Sequence, residues 1–176
     1  MTNKEKSFET AYDIASVLLT ALIAVGIIFT FFFKISAVSG ESMENTLYDG
    51  DSLIITSITN SVEQGDVVVI SQPNGYHKVL IKRVIAVGGQ TVEFDSYTGK
   101  TIVDGAPIDE SYIKETPHYT FGMSKKYVVP EGKVFVMGDN RNHSADSRDI
   151  AIGMIDERYV MGKVIYRFGD TELFNS

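Results

Sequence analysis

The stretch VLIKRVIAVGG, residues 79–89, decides the fold. Branched aliphatic residues fill it and two glycines end it, which is typical of a β-strand followed by a turn. Strand alternation places Lys82 on one face with Leu80, Val84 and Ala86. Among aliphatic neighbours a lysine loses hydration, and this lowers its pKa by disfavouring the ammonium. The stretch therefore predicts a buried strand with one desolvated lysine; a strand-end lysine that reaches water or pairs with an acid is the common alternative.

Other segments of the chain also read as short strands. Arg83, on the opposite face from Lys82, is expected to form a salt bridge. Between residues 90 and 131 the strands are shorter and the turns denser, which indicates a small hairpin-rich insertion packed on the main sheet. We therefore predict a mostly β fold with a compact β-sheet or barrel-like domain over residues 35–176. Its further strands are expected at Leu53–Ile58, Val67–Ile70, Val134–Val136 and Val160–Phe168.

The N-terminal region contains a long apolar segment. Residues 14–33 carry no charge and are bounded by Asp13 and Lys34. At 1.5 Å per residue such a segment is about 30 Å long, the thickness of the hydrocarbon core of a bilayer. We predict a single transmembrane helix over residues 14–34, preceded by a cytoplasmic tail of residues 1–13, with the lipid bilayer as a partner.

Two features bear on the fate and orientation of this segment. Lys4 and Lys6 precede it and only Lys34 follows closely, which favours a cytoplasmic N-terminus in the cell membrane and an extracytoplasmic domain. The small residues of Ala37-Val38-Ser39 leave cleavage as a secretory signal open. However, the apolar run exceeds the usual signal core of about 7–15 residues, so we favour a retained anchor.

The composition excludes several classes of function. The formal net charge of −7 argues against nucleic acid as a partner. The chain has no cysteine, so disulfides, thiol nucleophiles and thiolate metal sites do not occur. The three histidines, His77, His118 and His143, are scattered without metal-ligand spacing. We expect neither a metal nor another cofactor.

Two polar segments complete the candidate site. The segment SGESMENTL, residues 39–47, contains Ser42, which alone would be read as part of a turn or a helix cap. The segment GDNRNHSADSRD, residues 138–149, could be a solvated loop. Such polar loops also fold on themselves through side-chain hydrogen bonds and line functional sites.

A serine and a lysine of this kind can perform nucleophilic catalysis together. The serine hydroxyl needs a base within hydrogen-bond reach, and a lysine serves only when it is neutral. The aliphatic neighbours of Lys82 provide the burial that neutrality requires. A backbone N–H at Ser42 could stabilise an oxyanion, and Gly40 allows the backbone to approach closely.

The ordered motifs resemble those of type I signal peptidases, the enzymes that remove signal peptides from exported proteins. In chain order they are Ser-Gly-Glu-Ser-Met-x-x-Thr-Leu from residue 39, Gly-Asp-Val-Val from residue 65, Lys82-Arg83, and Gly-Asp-Asn-Arg-x-x-Ser-x-Asp-Ser-Arg from residue 138. They follow one transmembrane helix and cover most of the domain. The single anchor and short insertion are similar to the Gram-positive members.

The resemblance implies roles for particular residues. It implies that Ser42 attacks the scissile carbonyl and that Lys82 accepts its proton. Ser144 would hydrogen-bond to Lys82, and Asp146 with Arg148 would form a supporting ion pair. It also implies preproteins with small residues at positions −3 and −1 as substrates, and a catalytic domain on the outer side of the membrane.

The chain departs from the family pattern in three places. Asn45 stands where the family usually has proline, and Asn142-His143 stands where it has Asp-Asn. Some members have a serine two places before the nucleophile as an oxyanion donor; here that residue is Gly40, and Ser39 is displaced by one position. These changes point to a specialised substrate range.

Three other interpretations compete with the serine–lysine hypothesis. One is a triad of Ser42, His143 and Asp139. Another is a non-catalytic or accessory membrane-tethered assembly factor, although such relatives would be expected to lose the serine or the lysine. The third is an intracellular self-cleaving regulator with a similar dyad, which the anchor and the lack of a DNA-binding segment disfavour.

Overall fold

The computed structural model describes residues 3–57, 61–71, 76, 78–118 and 126–169, with the side chains described from residue 10 onward. The chain divides into two units, Met1–Lys34 and Ile35–Ser176. In the part that the model describes there is one α-helix, and the rest of the regular structure is almost entirely β. This confirms the predicted fold class.

Helix α1 spans Asn3–Phe32. Its segment Thr10–Phe32 has 23 residues and a mean hydropathy of 2.6, so its length and composition suffice to cross a membrane. The helix limits differ from the predicted 14–34, because α1 begins within the expected tail and Lys34 lies in the first strand.

Eleven strands among the described residues form two sheets. The larger sheet has the order β1-β2-β11-β3-β4-β9-β10, and the smaller has the order β7-β6-β5-β8. The strands are β1 (Phe33–Ala37), β2 (Ser52–Thr56), β3 (Val67–Ile70), β4 (Leu80–Val87), β5 (Thr91–Phe94), β6 (Thr101–Val103), β7 (Ala106–Pro107), β8 (Tyr127–Val128), β9 (Lys133–Met137), β10 (Ile155–Asp156) and β11 (Val160–Phe168).

The larger sheet is antiparallel from β2 to β10. Strand β11 pairs with β2 on one side and with β3 on the other, and its register shifts at Val160/Gly162 and at Val164/Tyr166. Such irregularities bend a strand and increase its twist. The sheet is therefore curled, as a barrel-like domain requires.

The predicted strands correspond closely to the observed ones. Strands β3 and β11 have the predicted limits, and β4 begins one residue later than expected. Strand β2 ends at Thr56, and Ile58 lies outside the described residues. The predicted insertion at residues 90–131 contains the whole of the smaller sheet.

One register shift changes the expected faces of β4. Leu80 and Val84 pack in one apolar cluster, as alternation predicts. Ala86 instead packs with Ile85 in another cluster, because the pairing of β4 with β9 is irregular between Val84 and Ala86. The expectation that Ala86 shares a face with Lys82 was wrong, since an irregularity of this kind breaks the two-residue alternation.

The apolar cluster that contains Ala86 joins the two sheets. Its members from the larger sheet include Ile85 and Phe135, and its members from the smaller sheet include Val92 and Phe94. Phe135 is completely buried and its ring lies 6.2 Å from that of Phe94. The insertion is thus packed on the main sheet through a shared core.

Replacing Phe135 with alanine is expected to lower the free energy of unfolding by about 3–5 kcal/mol, because it leaves a cavity where the two sheets meet. Urea unfolding of the full chain in detergent, followed by circular dichroism, measures this change. Ile150→Ala is the control, because Ile150 is 94% exposed. Equal unfolding midpoints for the two variants would contradict the assignment of this cluster as the joint between the sheets.

Candidate active site

The candidate nucleophile lies in a turn between β1 and β2, residues 39–48, which we call the serine turn. Its flanks are closed by hydrogen bonds from Val38 N to Asp51 O (2.8 Å) and from Gly50 N to Val38 O (3.1 Å). Met43 and Leu47 are buried in an apolar cluster with residues of β2 and β3. The apolar residues of the SGESMENTL segment thus anchor the turn, while Ser42 is half-buried.

Strand β4 brings Lys82 to this serine. Lys82 is 3% exposed, and its Nζ donates hydrogen bonds to Ser42 Oγ at 2.6 Å and to Ile81 O at 2.9 Å. The two residues are 40 positions apart in the chain. The structure therefore brings together the serine and the lysine that the sequence singled out.

The environment of Lys82 lowers its pKa from 10.5 to about 8. Burial is the main cause, because desolvation disfavours the charged amine. The negative charges of Asp146 and Asp139 act against this shift, and the positive charge of Arg148 adds to it. An amine with a pKa near 8 can serve as a general base at slightly alkaline pH.

A cleft of about 260 Å³ lies beside the serine and the lysine. Its walls come from the end of β1, the serine turn and the start of β4. Aliphatic residues are prominent in its lining, which also includes Ser42 and Lys82. The lining residues are Ser36, Ala37, Val38, Ser39, Gly40, Ser42, Met43, Val79, Leu80, Ile81 and Lys82.

The polar segment 138–149, which we call the polar loop, is folded into the protein. Its buried members include Asp139, Asn140, Arg141, Asp146 and Ser147. The alternative of a solvated loop was wrong, because these side chains are buried and most of their polar atoms bond to backbone and side-chain groups of the domain.

The expected ion pair forms within this loop. Arg148 donates to the buried carboxylate of Asp146, with Nε to Oδ1 and Nη2 to Oδ2 distances of 2.8 Å each. Asp146 Oδ2 also accepts a hydrogen bond from Gly138 N at 3.0 Å. The pair therefore fixes the backbone at the beginning of the polar loop.

The polar loop holds the serine turn directly. Asn140 N donates to Ser42 O at 3.0 Å, and Asn140 Nδ2 donates to Glu41 O at 3.1 Å. We did not single out Asn140 from the sequence, although it lies in the Gly-Asp-Asn-Arg motif. Its motif position and its amide side chain were the signals that could have identified it.

Ser144 lies close to the dyad but forms no predicted bond. Its buried hydroxyl has no hydrogen-bond partner among the described residues. The two hydrogen bonds of Lys82 Nζ go to Ser42 and to the backbone of Ile81. The proposed orienting role of Ser144 therefore stays a prediction.

The structure does not assemble the alternative triad. The Asp139 carboxylate accepts hydrogen bonds from Arg83, at 2.9 and 2.7 Å, and from Thr46. The ring of His143 is 61% exposed and lies 3.8 Å from Glu41. Asp139 is thus occupied by the salt bridge that was expected for Arg83, and His143 is oriented toward a different acid.

Gly40 and Ser39 both line the cleft. Gly40 has a φ of 92°, which favours glycine, and its N–H donates to Asp49 Oδ1 at 2.7 Å. Ser39 is exposed and lines the cleft. No acceptor among the described residues engages the N–H of Ser42, which leaves that group available to a bound carbonyl.

A serine hydroxyl bonded to a desolvated lysine amine, beside an open cleft, is the arrangement of serine hydrolases that use lysine as their base. The family model described as "Signal peptidase, peptidase S26" matches residues 11–168. The chain therefore belongs to the signal peptidase family, whose members are serine endopeptidases, and the resemblance noted in the sequence is confirmed.

Individual relatives agree with this assignment. The chain is 35% identical over 161 residues to a probable signal peptidase I-1 of Synechocystis, covering 86% of this chain and 79% of that protein. It is 32% identical over 173 residues to signal peptidase I of Bacillus licheniformis, with 92% and 88% coverage. It is 34% identical to signal peptidase IB of Staphylococcus aureus, with 86% and 89% coverage.

Replacing Gly138 with alanine is expected to lower turnover strongly. A Cβ at this position would collide with the backbone oxygen of Ser42 and with Ser144, so the serine turn would have to move. A displacement near 1 Å can reduce a rate by about a hundredfold. Steady-state kinetics of Gly138→Ala check this, with Gly26→Ala as the control, because nothing lies near a Cβ there and its backbone is helical. Equal activity of the two variants would contradict the expected clash.

Burial of Lys82 also predicts a pH-dependent cost to stability. The unfolded chain keeps this proton up to about pH 10.5 and the folded chain loses it near pH 8. The free energy of unfolding therefore rises between these pH values. Below pH 8 the folded chain bears the full cost of burying the charged amine, about 3 kcal/mol.

Lys82→Met is expected to unfold at a higher temperature than the parent at pH 7, because methionine carries no charge to desolvate. The difference should shrink as the pH rises from 8 to 10.5. Thermal unfolding across this range measures it, and Lys126→Met, which changes an exposed lysine, is the control. A constant difference across the range would contradict the lowered pKa.

Proposed function

We propose that this chain is a membrane-bound serine endopeptidase that removes N-terminal signal peptides from exported preproteins through a Ser42–Lys82 dyad. The observation that supports this most directly is the 2.6 Å hydrogen bond between Lys82 Nζ and Ser42 Oγ in a site that lowers the pKa of the lysine. Membership of the signal peptidase family supplies the class of substrate.

In the first chemical step, neutral Lys82 accepts the hydroxyl proton of Ser42 while Oγ attacks the scissile carbonyl. Collapse of the tetrahedral intermediate breaks the C–N bond, and the lysine gives its proton to the leaving amine. A water then attacks the acyl-enzyme ester, with Lys82 again accepting a proton and returning it to Ser42 Oγ. The products are the signal peptide carboxylate and the mature N-terminus.

The oxyanion of each intermediate requires hydrogen-bond donors. The N–H of Ser42 is the group best suited, because no described residue occupies it. Gly40 contributes the turn conformation rather than a donor, because its N–H is bonded to Asp49. Ser39, at the rim of the cleft, is a candidate second donor.

The supporting residues act on the position and charge of the dyad. Asp146, bound to Arg148, fixes Gly138, and Asn140 fixes the backbone on both sides of the Glu41–Ser42 peptide bond. Ser144 would orient Lys82 through a hydrogen bond, and its position beside Gly138, close to Ser42, supports this role.

The cleft supports the proposed class of substrate, and helix α1 supports the proposed location. Aliphatic walls and a volume of about 260 Å³ suit an extended peptide with small side chains, in keeping with the expected small residues at −3 and −1. Helix α1 supplies the single-pass anchor. The N-terminus is cytoplasmic and the catalytic domain extracytoplasmic, on the side where preproteins emerge.

Cleavage of a secretory preprotein in detergent tests this function. The full chain is expected to release the mature protein, whereas Ser42→Ala and Lys82→Met should each lose at least about a thousandfold in kcat. His143→Ala is the matched control and should keep most activity. Substrates with Ala rather than Leu at −1 should be preferred. Equal cleavage by all variants would refute the dyad, and loss in His143→Ala would restore the triad.

The pH dependence of kcat/KM tests the base independently. Since only neutral Lys82 accepts a proton, kcat/KM should rise with pH and level off above an apparent pKa of about 8. Initial rates from pH 6 to 10, with a substrate of constant charge, give this profile. A profile that is half-maximal near pH 6.5 would point to histidine instead.

A further inference from the structure

We propose that residues 109–118, which we call the strap, hold the serine turn in its working conformation, and that Asn45 and Lys114 are positioning residues for Ser42. The strap follows β7 and belongs to the insertion rather than to the main sheet. This inference rests on the proposed role of Ser42 as the nucleophile, and it assigns to the insertion a part in catalysis.

The backbone at Asn45 needs an external restraint. Asn45 has a φ of 80°, a left-handed conformation that asparagine tolerates better than most residues and that proline cannot adopt. The proline that the family usually has at this position therefore cannot adopt the backbone conformation of this chain. Another source must keep the turn in this sparsely populated conformation.

The strap provides contacts at this position. Asn45 Nδ2 donates to the backbone oxygens of Tyr112, at 3.3 Å, and of Ile113, at 3.5 Å. These are long hydrogen bonds, but they join residues that are 67 and 68 positions apart. They tie the left-handed residue of the serine turn to the main chain of the strap.

The neighbouring residue of the turn is held by an ion pair. Lys114 Nζ donates to Glu44 Oε2 at 2.6 Å, and Lys114 N donates to Asp139 O at 3.1 Å. The lysine therefore joins the strap to the serine turn through its side chain and to the polar loop through its backbone.

The strap is itself fixed, so it can act as a support. Asn142 accepts a hydrogen bond from His118 N at 2.9 Å and donates to Glu115 and to the backbone of Thr116. At the other end, the guanidinium of Arg83 lies 4.0 Å from the ring centre of Tyr112. Asn142, one of the departures from the family pattern, thus anchors the strap.

These contacts restrain the part of the turn that Asn140 does not hold. Asn140 bonds to the backbone at Glu41 and Ser42, whereas the strap contacts Glu44 and Asn45. A loosened turn would change the distance from Ser42 Oγ to Lys82 Nζ, whereas the walls that β1 and β4 contribute to the cleft would stay in place. The effect is therefore expected in kcat rather than in KM.

Kinetics of the full chain in detergent test this proposal. Asn45→Gly keeps the conformation accessible but removes the side-chain donor, and Lys114→Met removes the ion pair. Each is expected to lower kcat about three- to tenfold with little change in KM. Because both changes release the same turn, the double variant should lose less than the product of the two.

Two further variants separate positioning from general stability. Lys114→Arg should restore most of kcat, because it keeps the charge that meets Glu44. Lys126→Met removes a comparable exposed ion pair of the insertion, with Glu93, which does not touch the serine turn, and should leave kcat unchanged. Equal kcat for Lys114→Met and Lys126→Met, or an increase in KM alone, would overturn the proposal.

Hydrogen exchange tests the role of the strap separately from the proposed function. Amides of residues 41–47 should exchange faster in Asn45→Gly and Lys114→Met than in the parent, while those of β3 stay unchanged. A parent chain that cleaves no preprotein would refute the proposed function, and with it the catalytic part of this inference. An active parent whose variants show unchanged exchange and unchanged kcat would refute the strap alone.

Discussion

The rest of the site depends on the desolvation of one amine. Lys82 is buried on a central strand, and its ordinary pKa of 10.5 falls to about 8 mainly because water is excluded. Two carboxylates nearby, those of Asp146 and Asp139, would by themselves favour the charged amine. Each is bonded to an arginine, Arg148 and Arg83 respectively, so its charge is already paired. The pairing limits the attraction that these acids exert on the lysine, and burial remains dominant.

The same polar loop that supplies these charges also sets the position of the nucleophile. Asp146 holds Gly138, and Asn140 holds the Glu41–Ser42 backbone. Buried polar groups are costly unless they are hydrogen-bonded, and the bonded groups of this loop hold one another and the backbone in place. Because hydrogen bonds are directional, a polar loop inside the domain stabilises one arrangement of the serine turn. An apolar loop would fill the same space without fixing the orientation of the turn. This explains why a segment with the composition of a surface loop is buried beside the dyad.

Sequence patterns predicted the strands and the burial of Lys82 because these depend on short-range information. That Ser42 acts with Lys82, 40 positions away, was expected from the ordered motifs that resemble the family. The branched residues of β3 and β11 fix their limits, and the aliphatic neighbours of Lys82 indicate its burial. The departure at Ala86 could not be predicted, because the register shift arises from pairing with β9, which is distant in the chain. The position of Ser144 and the contact between Asn45 and the strap likewise depend on packing between segments far apart in sequence. The fold class was accessible from the sequence, and the fine geometry of the site was not.

The backbone of the serine turn also explains one departure from the family pattern. Where some members have a serine that donates to the oxyanion, this chain has Gly40 with a φ of 92°. A side chain is strained in that conformation, even though open space surrounds the position. The N–H of Gly40 is committed to Asp49, so the conformation that requires glycine also removes a backbone donor from the cleft. The conformation of the turn thus favours a residue without a side chain at position 40, and the N–H of Ser42 has no acceptor among the described residues. In the proposed mechanism the oxyanion donors are the N–H of Ser42 and, as a second candidate, Ser39. Because both belong to the serine turn, the course of this turn and every contact that holds it decide where the donors lie.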